Sequence, residues 1–298
     1  MNRYLAGSIV FGVIFFLSLA YAYFIEPTVI TVRPAEVVIS GLDPALDGMK
    51  IVLISDIHGG SNDVTFDRLK ELTILANEQD ADLILLLGDY VSGEHRSGKP
   101  AVETSLKMPV SVIADGLKGL SAKLGVFSVL GNHDGWYGDE LIAAELTRVG
   151  IKVLQNEVAV VERNGRPFRI LGFKDHLKLT RRWGDIPKDF RALLASTGEG
   201  NVIAMEHSPD IMPEITGENL ISSDLKLVLA GHTHGGQVRL PIVGPAIVPS
   251  VYGQKYAYGH VLENGVDMFI TSGIGTSIFP IRFMVPPEIT VLTLRTAN

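Results

Sequence analysis

Five short polar motifs hold five of the eight histidines in this chain. In chain order they are Asp56-Ile57-His58, Gly88-Asp89, Gly131-Asn132-His133-Asp134, the isolated His207, and Gly231-His232-Thr233-His234. Carboxylate, amide and imidazole groups are ligands of hard and borderline divalent cations, and a chain without cysteine offers no thiolate ligand. Together, the motifs predict a centre for two metal ions.

Every motif follows an apolar run that predicts a β-strand. The motifs at Asp56, Asp89, Asn132, His207 and His232 follow runs at residues 50–55, 82–87, 125–130, 201–206 and 225–230, respectively. Ligands of open α/β sheets bind beyond the carboxyl ends of the strands. Residues that are far apart in sequence can therefore converge at one edge of the fold.

Helical patterns alternate with these strands and predict a layered α/β domain. The helices are expected within residues 101–123 and around 65–77, 139–149 and 188–196. A hairpin is expected at residues 157–163 and 168–173, because Asn164-Gly165 is a strong turn signal. Further strands at residues 267–271 and 289–294 indicate a second sheet.

The spacing within Asp56-Ile57-His58 places both polar side chains on one side if the backbone stays extended there. The pair His232 and His234 has the same spacing. Two cations roughly 3.5 to 4 Å apart need a bridging anion, and a single carboxylate can bond both. Asp89 is the candidate bridge.

Three glycines precede the polar residues of the motifs, at positions 88, 131 and 231. They are typical of ordinary turns. Equally, they allow the backbone to approach bulky metal-phosphate groups closely.

The five motifs in this order resemble the calcineurin-like metallophosphoesterase family, whose pattern is D-x-H, G-D, G-N-H-[DE], H and G-H-x-H. The resemblance runs from about Lys50 to Arg239. It implies an α/β fold, a four-layer α-β-β-α sandwich of two mixed sheets, and two divalent ions of manganese, iron or zinc. It also implies one ion held by Asp56, His58 and His234, a second held by Asn132, His207 and His232, and Asp89 bridging them.

The activity implied by this resemblance is hydrolysis of a phosphate ester or phosphoanhydride by a hydroxide that the two metal ions activate. His133 lies next to the predicted ligand Asn132 and is the candidate acid that protonates the leaving group. Asp134 is expected to orient that imidazole. Alternatively, His133 is only a hydrogen-bond partner that supports the metal site.

The C-terminal stretch at residues 281–290 and the tail of the last motif are similar to one bacterial branch of the family, the membrane-anchored or exported YkuE- and YaeI-like phosphoesterases. A related member hydrolyses UDP-2,3-diacylglucosamine in lipid A synthesis, which makes a pyrophosphatase of that type an alternative. An alternative of another class is a non-catalytic binding module that keeps the scaffold without its metals. All seven ligand positions are filled, which favours the enzyme.

The N-terminus predicts a membrane anchor, since residues 4–24 carry no charge and a span needs about 20 apolar residues. A cleaved signal peptide, suggested by Ala20-Tyr21-Ala22, and a buried core helix are the alternatives. We therefore expect a transmembrane anchor or uncleaved signal at 1–25, an extended lead-in at 26–48 and the catalytic domain at 49–298. Arg3 and the amino terminus favour a single-pass protein of the bacterial inner or plasma membrane with an extracytoplasmic catalytic domain.

The net charge of −7 and the pI near 5.6 argue against a stable nucleic-acid complex. The expected partners are the membrane and a phosphoester substrate that is lipid-linked or a nucleotide.

The remaining polar and aromatic candidates have weaker support from sequence alone. Trp136 and Tyr137 line a substrate groove or simply pack, and Asp175 caps a helix or contacts substrate. Arg282 lies in an apolar cluster that either faces a bilayer or forms a core strand with one snorkelling arginine. Surface or satisfied core positions are expected for the histidines outside the motifs, His95, His176 and His260.

Overall fold

A computed structural model of the chain describes residues 3–93, 105–175 and 186–297. Its strands are β1 Thr31–Ile39, β2 Lys50–Ile54, β3 Leu83–Leu86, β4 Val126–Ser128, β5 Lys152–Val153, β6 Glu157–Arg163, β7 Arg166–Gly172, β8 Val202–Met205, β9 Leu225–Ala230, β10 Arg239–Leu240, β11 Gly244–Pro245, β12 Gly259–Glu263, β13 Val266–Ile270 and β14 Glu288–Thr296. Its α-helices are α1 Arg3–Phe24, α2 Phe66–Asn77, α3 Val110–Leu117, α4 Asn132–Tyr137, α5 Asp139–Arg148, α6 Ile186–Ser196 and α7 Met212–Ile215.

Two six-stranded mixed sheets form the centre of the domain. The first has the order β1-β14-β2-β3-β4-β5, and only the β14–β2 pair is antiparallel. The second has the order β12-β13-β9-β8-β7-β6, with antiparallel pairs at its two edges. Within each sheet, the strands that precede the motifs are parallel, so their carboxyl ends lie at one edge.

Three apolar clusters show that the sheets and helices form four layers. One cluster joins the inner faces of the two sheets, for example Leu85 with Leu229. A second packs α2, α3 and α5 on the outer face of the first sheet, and a third packs α6 and α7 on the outer face of the second. The expected α-β-β-α sandwich is confirmed. The central strand β2 is an almost continuous apolar run because both of its faces are covered.

The segment at 26–48 is more structured than a lead-in. Its strand β1 pairs in parallel with β14 along nine residues, and Val37 and Ile39 are each only 1% exposed. Pro34 is tolerated because β1 lies at the edge of the sheet. This segment therefore completes the first sheet.

The N-terminal helix α1 stands apart from these layers. Its apolar window, Gly7–Thr28, is long enough to cross a membrane, and only 6% of it is buried. Phe16 and Leu17 are 70% and 64% exposed. That exposure excludes the alternative of a buried core helix.

The packing of β1 gives a first prediction. Ile39→Ala should lower the free energy of unfolding by about 2 to 5 kcal/mol, because it leaves a cavity in the core between the sheets. Val38→Ala is a matched control on the same strand, since Val38 is 56% exposed, and it should change stability by less than about 0.5 kcal/mol. Urea unfolding of the full chain in mild detergent measures both. Equal, small effects would show that β1 is dispensable.

Candidate metal centre

The end of β2 and the last motif bring three buried side chains to one point. The Nε2 atoms of His58 and His234 lie 3.2 Å apart. Asp56 Oδ1 is 3.4 Å from His234 Nε2 and 4.0 Å from His58 Nε2. This is the spacing of three ligand atoms around one cation.

A second group gathers at the ends of β3, β8 and β9. His207 Nε2 lies 3.1 Å from His232 Nδ1 and 3.2 Å from Asp89 Oδ2. The same Asp89 oxygen is 3.6 Å from His58 Nε2 in the first group. Asp89 thus lies between the two groups, within reach of both.

Backbone carbonyls fix the orientation of two of the imidazoles. His58 Nδ1 is 3.2 Å from the carbonyl oxygen of Val91, and His207 Nδ1 is 2.7 Å from that of Leu87. A carbonyl only accepts hydrogen bonds, so each Nδ1 carries the proton. Both Nε2 atoms therefore point into the cluster, as in histidines that bind metals.

Burial sets the protonation of the cluster. It lowers the pKa of His58 to about 3, with the neighbouring His133 adding to the effect, and raises the pKa of Asp56 to about 6. For Asp89, burial is outweighed by His207 and His133, which hold its pKa well below the usual value. His58 is consequently neutral at physiological pH and its lone pair is available.

Two buried oxygens of the cluster have no hydrogen-bond partner among the described residues. They are Asp56 Oδ1 and Asn132 Oδ1. Buried polar atoms are nearly always satisfied, so each such atom requires an explanation. Oxygen and nitrogen donors that converge in this way fit divalent cations, and the clustered Asp and His residues suit a dinuclear site.

The local backbone differs from the expected extended conformation. Asp56 and His58 have φ of 52° and 46°, and His232 and His234 have φ of 69° and 51°. In each motif, the residue between these two left-handed residues points its side chain away from the cluster. Thr233, for example, donates from Oγ1 to the carbonyl of Ala257 at 2.7 Å. Such strained conformations cluster at functional sites, where the surrounding contacts hold them.

The glycines of the motifs permit close approach within the protein itself. A Cβ atom at Gly131 would lie 2.3 Å from Asp89 Oδ1, and one at Gly231 would lie 1.9 Å from Ser55 Oγ. Both distances are far below van der Waals contact. These positions must be glycine for the loops to pack around the cluster.

Asp134 has a different set of partners from the one expected. Its carboxylate accepts hydrogen bonds of 2.8 to 3.3 Å from the backbone amides of Asp89, Tyr90, Val91 and Gly131. It therefore ties the Gly-Asp loop to the start of α4. These contacts support a role in holding Asp89, and the orientation of the His133 imidazole by Asp134 stays a prediction.

His133 lies at the opening of the cluster. Its amide donates to Asp89 Oδ1 at 2.9 Å, and its ring centroid is 4.7 Å from that of His58. Trp136 covers it at 4.5 Å and is 39% exposed. Tyr137 packs in the core beneath the helices, as the simpler expectation had it.

The other candidates lie in varied places. Asp175 is 2% exposed and contributes to raising the pKa of His207, so it belongs to the surroundings of the cluster. His260 is exposed and its Nε2 is hydrogen-bonded to Asp267 Oδ1 at 2.6 Å, as expected of a histidine outside the motifs. His95 and His176 lie outside the described residues.

Arg282 differs from the expectation of a core strand with one snorkelling arginine. It is fully buried, and its guanidinium donates to the carbonyls of Ser272, Gly273, Gly275 and Val285. Its Nη2 is also 3.4 Å from His234 Nδ1. Arg282 thus organises a loop at the wall of the cluster.

That loop, residues 272–276, was missed from sequence. The amide of Gly275 donates to the carbonyl of Asp56 at 2.7 Å, and a Cβ at Gly273 would lie 2.6 Å from the Asp56 Cβ. A sequence signal for this loop exists, because Gly273 and Gly275 follow β13 closely, just as the motifs follow their strands. The loop carries no metal-binding side chain, so the ligand motifs do not include it.

The buried guanidinium gives a second prediction. Arg282→Met should lower the free energy of unfolding by about 3 to 5 kcal/mol, because several buried carbonyls lose their donor. Arg148→Met is the control, since Arg148 is 45% exposed in its ion pair with Asp115, and should cost less than about 1 kcal/mol. Urea unfolding of both variants provides the comparison. A similar small loss in each would refute the structural role.

Comparisons with known proteins agree with this geometry. Residues 49–236 match the family described as calcineurin-like phosphoesterase. The chain is similar to an uncharacterized metallophosphoesterase, YkuE, of Bacillus subtilis, with 30% identity over 93% of this chain and 90% of that protein. It is also 31% identical to phosphodiesterase YaeI of Escherichia coli, over 82% of each chain.

A third relative is a zebrafish transmembrane protein with a metallophosphoesterase domain. It is 28% identical over 88% of this chain, which spans 56% of that protein. The matched range, the two bacterial relatives and the clustered ligands lead to one conclusion. The chain belongs to the calcineurin-like metallophosphoesterase family and is a hydrolase that acts on ester bonds.

Proposed function

We propose that this protein is a membrane-anchored phosphodiesterase that uses two divalent metal ions. The observation that supports this most is the position of Asp89 Oδ2, 3.6 Å from His58 Nε2 and 3.2 Å from His207 Nε2. One carboxylate oxygen shared by two groups of lone pairs is the arrangement that a dinuclear centre requires. The relative YaeI is named a phosphodiesterase, which favours a diester as substrate.

The proposed ligands divide into two sets around Asp89. Asp56, His58 and His234 would hold one ion, and His207 and His232, which cluster with Asp89, would hold the other. Asn132, the residue next to His133 in the third motif, is the proposed third ligand of that second ion. When bound, the two ions supply positive charge that polarises the phosphoryl oxygens and makes a water molecule acidic enough to attack at neutral pH. Manganese, iron and zinc all accept these oxygen and nitrogen donors.

The residues of the chain hold this arrangement in place. The carbonyls of Val91 and Leu87 keep the protons of His58 and His207 on Nδ1. Asp134 keeps Asp89 at the midpoint through the Asp89 amide. Because these supports are buried, the site is preorganised before substrate binds.

His133 is the proposed general acid. It is only half-buried, and its backbone amide is fixed by a hydrogen bond that it donates to Asp89 Oδ1. From this position the imidazole can give a proton to the leaving alkoxide. The exposed edge of Trp136 beside it would contact the leaving group.

The N-terminal helix is the proposed anchor, retained in the mature protein. The cleavage-like sequence at residues 20–22 lies within α1, and the Ala22 carbonyl accepts a hydrogen bond from the Arg282 amide, so the end of the helix is part of the fold. The charges of Arg3 and the amino terminus favour an extracytoplasmic domain. The UDP-2,3-diacylglucosamine alternative requires the opposite side, because nucleotide-linked lipids are made in the cytoplasm.

Loss of the bridging carboxylate gives a third prediction. Asp89→Ala should reduce hydrolysis of bis-(p-nitrophenyl) phosphate roughly 100-fold or more and lower the bound metal, because several kcal/mol of transition-state stabilisation depend on the ions. Asp115→Ala, at an exposed site on α3, is the control and should behave as the parent. Metal analysis by mass spectrometry and steady-state rates in added manganese test this. A metal-free parent without activity would revive the binding-module alternative.

The role of His133 gives a fourth prediction. His133→Asn should slow hydrolysis of an alkyl phosphodiester by about 10²- to 10⁴-fold, since its leaving group must gain a proton. A nitrophenyl ester should lose much less, because nitrophenolate leaves without protonation. The ratio of kcat values for the two substrates is the readout. An equal loss for both would assign His133 a supporting role only.

A further inference from the structure

The helix α1 joins the domain without a linker. The carbonyl of Ala22 accepts a hydrogen bond from the amide of Arg282 at 3.0 Å. Asn62 Nδ2 bonds both the Tyr23 carbonyl at 3.0 Å and the Pro280 carbonyl at 2.7 Å. The last turn of α1 is therefore fixed to the loop at residues 277–284.

A buried carboxylate adds to this junction. Glu26 is 3% exposed and accepts hydrogen bonds from the amides of Met284 at 2.9 Å and Val285 at 2.6 Å. It follows α1 by only two residues. The helix and the domain consequently have a fixed relative position at this end.

The length of α1 locates the lipid boundary. At 1.5 Å per residue its 22 residues span about 33 Å, against about 30 Å for the hydrocarbon core of a bilayer. Nearly the whole helix is needed to cross, so the boundary falls at its last turn. Tyr21 and Tyr23 lie there, which agrees with the preference of tyrosine for the membrane interface.

Two loops beside this turn expose large apolar side chains. Ile278 and Phe279 are 85% and 58% exposed, and Met284 is 53% exposed. In the loop between β10 and β11, Ile242 is fully exposed and Val243 is 63% exposed. We call these five residues the apolar rim.

Hydrogen bonds connect the two loops of the apolar rim, and Ile242, Val243 and Met284 line one groove. The side chain of Gln237 fixes the loop at residues 277–284. Its Nε2 donates to the Phe279 carbonyl at 2.6 Å, and its Oε1 accepts from the Ser277 amide at 2.8 Å. The amide of Arg239, at the start of β10, donates to the Phe283 carbonyl at 2.9 Å. The first loop therefore stands next to the end of α1, and the second is bonded to the first through the start of β10.

The two isoleucines are held in strained conformations. Ile242 and Ile278 have φ of 71° and 62°, which β-branched residues rarely adopt. Each is the centre of a three-residue turn that is closed by a hydrogen bond. The amide of Val243 donates to the Pro241 carbonyl at 2.8 Å, and the amide of Phe279 donates to the Ser277 carbonyl at 2.6 Å. The fold therefore holds both isoleucine side chains outward in a strained backbone conformation. Exposed apolar surface of this kind marks an interaction site.

We propose that the apolar rim docks onto the surface of the lipid bilayer that α1 enters, and so holds the metal centre beside the membrane. This inference rests on the proposed insertion of α1. Arg282 connects α1 with the residues of the metal centre. Its amide donates a hydrogen bond to the Ala22 carbonyl in α1, and its Nη2 lies 3.4 Å from His234 Nδ1. The site is thereby placed to act on esters presented at the lipid surface.

The absence of cysteine allows a direct test, because single Cys substitutions take a nitroxide label at one position only. The full chain is reconstituted in vesicles of phosphatidylethanolamine and phosphatidylglycerol, with labels in the variants Ile242→Cys and Ile278→Cys. Collisions with oxygen, which concentrates in lipid, are compared with collisions with a water-soluble nickel chelate. Val160→Cys is the control, because Val160 is an exposed apolar residue on β6, an edge strand of the second sheet.

Labels at 242 and 278 should favour oxygen over the chelate, whereas the label at 160 should favour the chelate. Equal access of the chelate to all three positions would overturn the docking. A fourth label, in Phe16→Cys, reports on α1: if the chelate reaches it, anchoring and docking are both wrong. Hydrolysis of bis-(p-nitrophenyl) phosphate by the unlabelled parent reports separately on the proposed activity.

Discussion

The structure depends on the crowding of lone pairs around one buried oxygen of Asp89. His58 and His207 are oriented by carbonyls so that their Nε2 atoms face each other across this carboxylate. Burial makes such a concentration of polar atoms costly unless each finds a partner, and Asp56 Oδ1 has none among the described residues. Divalent cations suit this set of donors, and the surrounding chain holds the donors together.

The surrounding chain supplies that support from several directions. Asp134 binds the amides that flank Asp89, and the loop at residues 272–276 binds the backbone of Asp56. Arg282 holds that loop and also contacts the end of α1. As a result, the N-terminal helix, the C-terminal loops and the ligands form one connected unit, although they come from opposite ends of the sequence.

The sequence was sufficient for the sandwich and for the convergence of the motifs, because apolar runs that end in polar motifs report both the strands and the edge at which they meet. It could not show the left-handed backbone of Asp56 and His58, which depends on contacts made by other segments. The two prolines and the β-branched residues at 25–34 predict an extended segment, but only pairing with the distant β14 makes β1 a strand of the sheet.

The environment of Arg282 could not be predicted from its neighbours in sequence. Those neighbours are apolar, whereas the guanidinium donates to carbonyls of the loop at residues 272–276 and to that of Val285. Asp134 likewise has partners that are mostly remote in sequence. Long-range hydrogen bonds of this kind leave no periodic pattern from which they can be predicted.

The central claim is that Asp89 joins two cations. Crystals of the full chain grown with manganese, and measured at a wavelength where manganese scatters anomalously, test it directly. Two anomalous peaks should flank Asp89, one beside Asp56, His58 and His234 and the other beside Asn132, His207 and His232. A single peak, or peaks that do not contact Asp89, would contradict the account.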